Sequence, residues 1–501
     1  MNSIRIRVLC ALACLCSGVR AHADTLEDAL GAAYRNNPSL EGARDLASAA
    51  DEGQVQARAA YGPTLSLSAQ HEYTSARIRG YILPSEQDGF ATSASLSLSQ
   101  PLLTSGRLAA GVDFAAANKM AVRARLDVVS QQVIADVVAA YVSLRRDMEL
   151  YGVAVEIYDL LLQQRNVTAS RYRLRDSTAP DLDQTLNRLE LAAGRVISSR
   201  ANVEVSAARY HNLVGHYPED LMPLPALPAL PVLETLYVEA ETHSPALALS
   251  KFTEAASRAR VAEARADMLP QVRAYASAAR VPVTPYQNTY REEAVSAGVN
   301  LTMALYSGGQ MSSRLREAKD RNQADQQYVE QARRDMRERL ASDWTSLKAA
   351  GESLPRYEAA VEAAERAVDG VKRQETSGIR TLRDVLDVTN DLLSARTAAV
   401  QARAEAYVLT VSVLRDAGLL QIAMFSRERP YDPNSRKHAI AGLAGLPLRP
   451  ILEPVDRLIK NDRVAAAPVQ LEYSTDFDWA VETGSPLQPV SSAADRDPAA
   501  P

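Results

Sequence analysis

Two hydrophobic periodicities alternate along this chain, and each predicts a different element. Leu65, Leu67 and Ala69 alternate with Ser66, Ser68 and Gln70, and Ala94, Leu96 and Leu98 alternate with Ser93, Ser95, Ser97 and Ser99. A period of two, with one apolar and one hydroxyl-bearing face, predicts β-strands. The pattern returns at Val272, Ala274, Ala276 and Ala278, and again at Val295, Ala297, Val299, Leu301, Met303 and Leu305. Tyr81, Pro84 and Gly89 in one hairpin, and Pro282, Pro285, Tyr286 and Asn288 in the other, predict the connecting loops. Ahead of each pair of strands comes a short helix and then a longer one, the first running from about Leu40 to Tyr61 and ended by Pro63. After Gly106 the spacing changes to threes and fours through Leu108, Val112, Val122, Leu126, Val133, Val137, Tyr141, Leu144, Val155, Tyr158 and Leu162. That is one helix of roughly 60 residues, about 90 Å long, too long for a single compact globule. The last helix carries a heptad seam, with Val385, Leu392, Ala399, Ala406 and Val413 at one position and Val388, Ala395, Ala402 and Leu409 at the other. Sustained sevens predict coiled-coil packing, and small alanines at the seam allow close approach of neighbouring helices.

The pattern occurs twice. At an offset of 207, Leu26 matches Leu233, Glu27 matches Glu234, Pro38 matches Pro245 and Pro63 matches Pro270. At an offset of 203, Leu102 matches Leu305, Gly106 matches Gly309, Asp181 matches Asp384, Asn187 matches Asn390 and Gly215 matches Gly418. Two constant offsets held over this length identify a tandem duplication. The expected organisation is a first repeat over 24–222, a proline-rich linker over 223–232, a second repeat over 233–425 and a tail over 426–501. The linker should run extended. The tail has no periodic segment after Arg463 and is expected to be largely disordered.

Arg5 and Arg7, the apolar stretch Val8 to Cys16 and the Ala21-His22-Ala23 site predict a secretory signal peptide over 1–23, cleaved after Ala23. All three cysteines, Cys10, Cys14 and Cys16, lie inside it, so disulfides, thiolate metal sites and cysteine nucleophiles are excluded from the mature chain. Phe and Trp are scarce, which favours alanine-packed helices over a thick aromatic core. A net charge of -5 on a mixed surface makes nucleic acid an unexpected partner. No later run approaches the ~20 apolar residues of a spanning helix, so strands must enter any membrane. Four strands cannot close a barrel and open edges are not tolerated in lipid, so three chains supplying twelve strands are expected.

The chain resembles the TolC family of outer-membrane factors over roughly residues 24 to 425. The resemblance is carried by Leu301-Thr-Met-Ala-Leu-Tyr-Ser-Gly-Gly309 and by Ser377-Gly-Ile-Arg-Thr-Leu-Arg-Asp-Val-Leu-Asp387. It implies a mainly α fold with a membrane β-barrel: a tandem-duplicated TolC-like protomer forming a homotrimer, with a 12-stranded β-barrel continued by an α-helical barrel across the periplasm. It also implies a periplasmic entrance ringed by acidic residues, here Asp384 and Asp387, with Arg380 as a gate-linking cation and Asp181 as its partner. The same aspartates sit in first helical turns, where the helix dipole favours carboxylates, and the duplication does not separate the two readings. Arg175 stands where the family commonly has glycine, Pro180 where a hydroxyl residue often precedes the aspartate, and Glu375 where an aromatic is frequent. A different set of salt bridges is therefore expected at the tip.

No Walker loop, metal-spaced histidine cluster or nucleophile elbow is present, so neither an enzyme nor a bound cofactor is expected. The resemblance implies a passive outer-membrane channel, in contact with lipid, that docks through a periplasmic adaptor onto an inner-membrane ABC transporter. The likeness is greatest to the CyaE-like outer-membrane channels of adenylate cyclase-haemolysin type I exporters, so the expected cargo is an exported polypeptide such as an RTX-type toxin. The outer-membrane component of a small-molecule efflux pump is the alternative. A periplasmic coiled-coil adaptor or an adhesin stalk leaves the internal, duplicated strands unexplained.

Overall fold

In the computed structural model, which describes residues 24–78, 85–218, 220–433, 442 and 444–460, the duplication reappears element by element. Helix α1 (Leu26–Asn36) and helix α2 (Pro38–Ala59) precede strands β1 (Thr64–Ile78) and β2 (Ser85–Leu103), then α3 (Arg107–Arg173) and α4 (Ala179–Val214). The second copy runs α5 (Leu233–His243), α6 (Pro245–Ala266), β3 (Gln271–Thr284), β4 (Gln287–Thr302), α7 (Gln310–Thr376) and α8 (Leu382–Asp416). A last helix, α9, covers Arg449–Ile459. The expected signal segment with Ala23, the hairpin residues Tyr81 and Pro84, and the tail beyond residue 460 lie outside the described residues.

Local chemistry sets the boundaries. Thr25 and Asp28 form a reciprocal capping box at the start of α1, and Asn37 caps α2 with Pro38 as its first residue. Ser244 and Pro245 do the same for α6. The long helices α3 and α7 each contain 67 residues, about 100 Å at the usual rise. Each follows a glycine in the left-handed region, Gly106 at φ 88 and Gly309 at φ 84, which turns the chain sharply from strand into helix.

The four strands form one antiparallel sheet in the order β1-β2-β3-β4. They extend further than the turn residues suggested. Gly89 pairs with Thr74, Pro282 pairs with Arg291, and Asn288 lies inside β4. The Asn288 side-chain oxygen accepts the Thr92 N–H at 2.7 Å, and its amide donates to the Phe90 carbonyl, so a turn-forming residue here fills the ladder.

The main core gathers α1, the middle of α3, the ends of α4 and α8, α5, and the middle of α7. Leu30, Val137, Val138, Tyr141, Tyr210, Leu236, Leu340, Val413 and Leu414 are buried there. The linker lays Leu224, Leu227 and Leu230 against it, and Leu221 just ahead of the linker packs there too. By length and composition one stretch of α3 could cross a membrane, contrary to the expectation that no later run comes close. The apolar content of α3 has a second outlet, because the helix supplies much of the core.

The tail is also more ordered than its composition implied. Tyr431 donates its N–H to the Tyr34 hydroxyl, and the Arg44 guanidinium lies over both rings at 4.7 and 5.1 Å. Helix α9 packs on α3 and β2. These contacts, invisible to periodicity, correct the expectation of disorder over 426–433 and 444–460.

Candidate functional site

The sheet separates two chemistries by register alone. One cross-strand row reads Ser66, Ser97, Ser277 and Ser296, and the next reads Leu67, Leu96, Ala278 and Val295. Successive side chains point to opposite faces, so in these rows one face is lined by hydroxyls and the other by aliphatic groups, the latter giving way one row further on to Ala69, Ala94 and the Arg280–Glu293 ion pair at 3.4 Å. On the hydroxyl face Ser66 and Ser97 hydrogen-bond at 2.6 Å, Ser68 and Ser95 at 2.7 Å, and Ser277 and Ser296 at 2.8 Å. On the aliphatic face Leu67 is 74% exposed and Val295 85% exposed. An aliphatic face this bare belongs against lipid or another chain. The outer edges of β1 and β4 have no strand partner among the described residues.

At the other end of the long helices, two helix-turn-helix tips carry the residues singled out in the sequence. In the first, Thr178 caps α4: its hydroxyl donates to the Asp181 carboxylate at 2.7 Å, and its N–H donates at 3.1 Å. In the second, Thr381 caps α8, and its hydroxyl and N–H both reach the Asp384 carboxylate at 2.9 Å. Hydrogen bonds from the Thr178 hydroxyl and N–H, with Ser177, hold the Asp181 carboxyl below its ordinary range. The Thr381 N–H and hydroxyl do the same for Asp384, with Arg380 and Arg383 adding positive charge nearby. Both groups stay ionised at neutral pH.

Asp387 lies one turn further along and is paired twice, to Arg188 of α4 at 3.3 Å and to Arg383 at 3.7 Å. Arg380 is exposed, and no contact joins it to Asp181 within the protomer. Besides Arg188–Asp387, the two tips are joined by a partly buried ion pair between Arg171 at the end of α3 and Glu375 at the end of α7. Glu375 is the residue expected to depart from an aromatic, and Arg171 is the partner the sequence reading missed. Arg175 has φ 65 and Gly378, its duplicate, φ 74, so a non-glycine residue occupies a left-handed turn in the first tip.

Behind the tips the two copies are zipped together. Ile157, Leu161, Leu189, Ala192, Val368, Leu386 and Leu392 from all four long helices form a second small core. Further along α8, Arg396 bridges Glu156 at 2.6 Å and Glu365 at 2.7 Å, and Arg403 bridges Glu149 at 3.5 Å and Glu358 at 3.0 Å. Each set repeats at heptad spacing, a signal that was present in the sequence as Glu149/Glu156, Glu358/Glu365 and Arg396/Arg403. Among the described residues, no cluster of three or more histidine, cysteine or acidic side chains is placed to hold a metal ion.

A two-faced sheet with open edges, joined to paired helices ending in ionised carboxylates, is the half-built wall of a duct. Comparison with known proteins agrees. The profile of the family described as outer membrane efflux protein matches residues 29–216 and 236–412, one block in each copy. Outer membrane efflux protein BepC of Brucella suis biovar 1 is 27% identical over 425 residues, covering 83% of this chain and 91% of BepC. Alkaline protease secretion protein AprF of Pseudomonas aeruginosa is 24% identical over 396 residues, covering 75% and 81%. The solved structure of the outer-membrane channel OprN superposes with a TM-score of 0.69 at 23% identity, covering 78% of this chain and 89% of OprN. The chain belongs to the outer membrane efflux protein family, the TolC-type channels that lie in the cell outer membrane and extend into the periplasm.

Proposed function

We propose that three copies of this chain close their sheets into one barrel and conduct a polypeptide, such as an RTX-type toxin, from an inner-membrane ABC transporter and a periplasmic adaptor to the exterior. The observation that carries the duct is the sheet itself: four strands, two unpaired edges, one bare aliphatic face and one face of serines. Three such sheets give a barrel with lipid outside and a wet lumen inside. The chain supplies walls and charge, and the transporter supplies energy.

Three-fold assembly turns Asp384 and Asp387 into rings of three carboxylates at the narrow end, which favours cations and gives multivalent cations a place to block. In this reading Arg380 and Asp181, which make no contact within the protomer, pair across a protomer boundary. Within each protomer Arg171–Glu375 and Arg188–Asp387 tie the two tips, so loosening the entrance means breaking these pairs.

Support for polypeptide cargo comes from the likeness to AprF, whose name assigns it to alkaline protease secretion. A second reading, efflux of small toxic molecules, draws its support from the higher identity to BepC, whose name assigns it to efflux. The test places this chain in a host stripped of its own channels of this family, once with a type I exporter and its toxin and once with a drug-efflux transporter and its adaptor. Toxin in the medium without restored drug resistance supports polypeptide export. Drug resistance without secreted toxin overturns it in favour of efflux.

A further inference from the structure

Helix α9 turns a carboxylate inward and leaves an apolar stripe exposed. Among its charged residues Asp456 is only 3% exposed and points inward, whereas Ile451 is 64%, Val455 43% and Leu458 86% exposed. With Pro454 these residues follow the i, i+3, i+4, i+7 spacing of an apolar helical stripe. The buried carboxylate accepts the N–H of Gly106 at 2.7 Å and of Ala109 at 3.1 Å, and the hydroxyls of Thr104 and Tyr61. Asp456 thus caps the start of α3, whose N-cap residue Gly106 has no side chain to do so, beside the Thr104 hydroxyl that accepts the Leu108 N–H. The anchor fixes α9 at the junction of sheet and helix, with its apolar stripe turned outward.

Among the described residues, the duplicated junction has no such cover. At the offset of 203, Leu102 to Gly106 corresponds to Leu305 to Gly309. There Leu305 is 89% and Tyr306 90% exposed, and Met303 is 43% exposed. Nothing lies within 4 Å of where a side chain at Gly308 or Gly309 would begin.

The sheet register relates these two bare surfaces. Thr64 at the start of β1 aligns with Ser99, Tyr275 and Gly298 in turn, so β1 begins at the same end of the sheet at which β4 finishes. When three sheets close into a ring, β4 of one copy runs beside β1 of the next. The neighbour's 303–309 segment then arrives next to Tyr61 and Thr64, where α9 is anchored. In a closed three-fold ring each contact is heterologous, joining two different patches, as this pairing requires.

We propose that the outward stripe of α9, Ile451, Val455 and Leu458, docks on Met303, Leu305 and Tyr306 of the adjacent copy, so that one helix closes both junctions, its own by Asp456 and its neighbour's by apolar contact. The inference rests on the trimer reading above. It adds to that reading a specific contact outside the barrel, made by a segment whose composition hid it.

The mature chain is expected to lack cysteine, which allows a direct test. Leu305→Cys and Leu458→Cys are introduced together, the protein is oxidised in outer membranes, and denatured samples are run without reductant, with each single variant as control. Native mass in detergent is measured on the same preparations. Covalent dimers and trimers in the double variant, absent from both singles and lost on reduction, are the expected result. A native trimer that yields only monomers when denatured overturns the α9 contact and leaves the trimer standing. A native monomer removes the reading on which the contact rests. An environment-sensitive dye on the Leu458→Cys single variant gives an independent readout. A dye signal that depends on added lipid vesicles, with no covalent dimer in the double variant, assigns the stripe to the membrane surface and also overturns the proposal.

Discussion

Replacing Asp456 by Ala removes the carboxylate that caps the start of a 67-residue helix and leaves there the Thr104 hydroxyl, which accepts the Leu108 N–H at 3.2 Å. Two buried N–H groups, those of Gly106 and Ala109, lose their acceptor, and the hydroxyls of Thr104 and Tyr61 lose theirs. Loss of a cap costs about 1 to 2 kcal/mol. A further buried donor left unsatisfied adds about 1 to 3 kcal/mol. Removing a buried carboxylate relieves some desolvation, but the helix N-terminus and four donors already compensate that charge. A local loss of about 3 kcal/mol follows, roughly a hundred-fold rise in the opening constant of the first turn of α3. The remaining anchors of α9 are Leu452, packed beside Tyr61 and Leu108, and the pairing of Arg457 and Lys460 with Asp113. They should keep the helix attached but loosened. The assay is amide hydrogen exchange over residues 104–112, comparing wild type with Asp456→Ala and Asp456→Asn. Exchange should rise by about two orders of magnitude in the alanine variant and by less in the asparagine variant, which retains one acceptor oxygen. Unchanged protection at Gly106 and Ala109 refutes the cap and the anchoring of α9 with it.

Leu67→Arg and Ser68→Arg place the same charge on opposite faces of β1. The first should lower the stability of the inserted protein by about 2 to 4 kcal/mol in refolding titrations into lipid, and the second should leave it almost unchanged while altering conductance; equal effects contradict the assignment of faces. Arg171→Glu or Glu375→Arg alone should loosen the tips and raise conductance, and the double swap should restore the resting value, with a coupling of about 1 kcal/mol because the pair is only partly buried; additive single effects argue against a tie. Burial raises the Asp127 carboxyl to about 6, against a smaller opposing effect of Arg123. The folded state therefore binds a proton more tightly than the unfolded chain, and this group's contribution to stability is present at low pH and lost as pH rises from about 4 to about 6. Asp127→Asn should raise the melting temperature at pH 7.5 and leave it nearly unchanged at pH 4; an equal shift at both pH values refutes the assignment.

The long-range order of the fold was legible because it is written in periodicity. The offsets of 207 and 203 reappear in the bounds of α1 and α5, α2 and α6, and α3 and α7. The serine and leucine rows were equally visible, since a strand's period of two assigns each residue to a face before any partner is known. The heptad-spaced Arg396 and Arg403 were readable but were overlooked in favour of the apolar seam. The tip was legible only in part. Sequence spacing placed Asp181 and Asp384 at helix starts, yet it could not say that their own threonines hold both carboxylates. Nor could it find Arg171 for Glu375, because that pair joins residues two hundred positions apart. Helix α9 was missed for a physical reason. It is only 11 residues long, carries two prolines and buries a carboxylate, so its apolar stripe spans just two turns inside a proline-rich tail, and its order comes from the backbone donors it caps.

The most direct test of a three-fold duct with an acidic entrance is single-channel recording of the purified trimer in a planar bilayer under a salt gradient, for wild type and for Asp384→Ala with Asp387→Ala. The account predicts discrete conductance steps, a reversal potential favouring cations, block by multivalent cations, and loss of both selectivity and block in the double variant. A preparation of confirmed trimeric mass that gives no steps, or one whose selectivity is untouched by removing both aspartates, contradicts it.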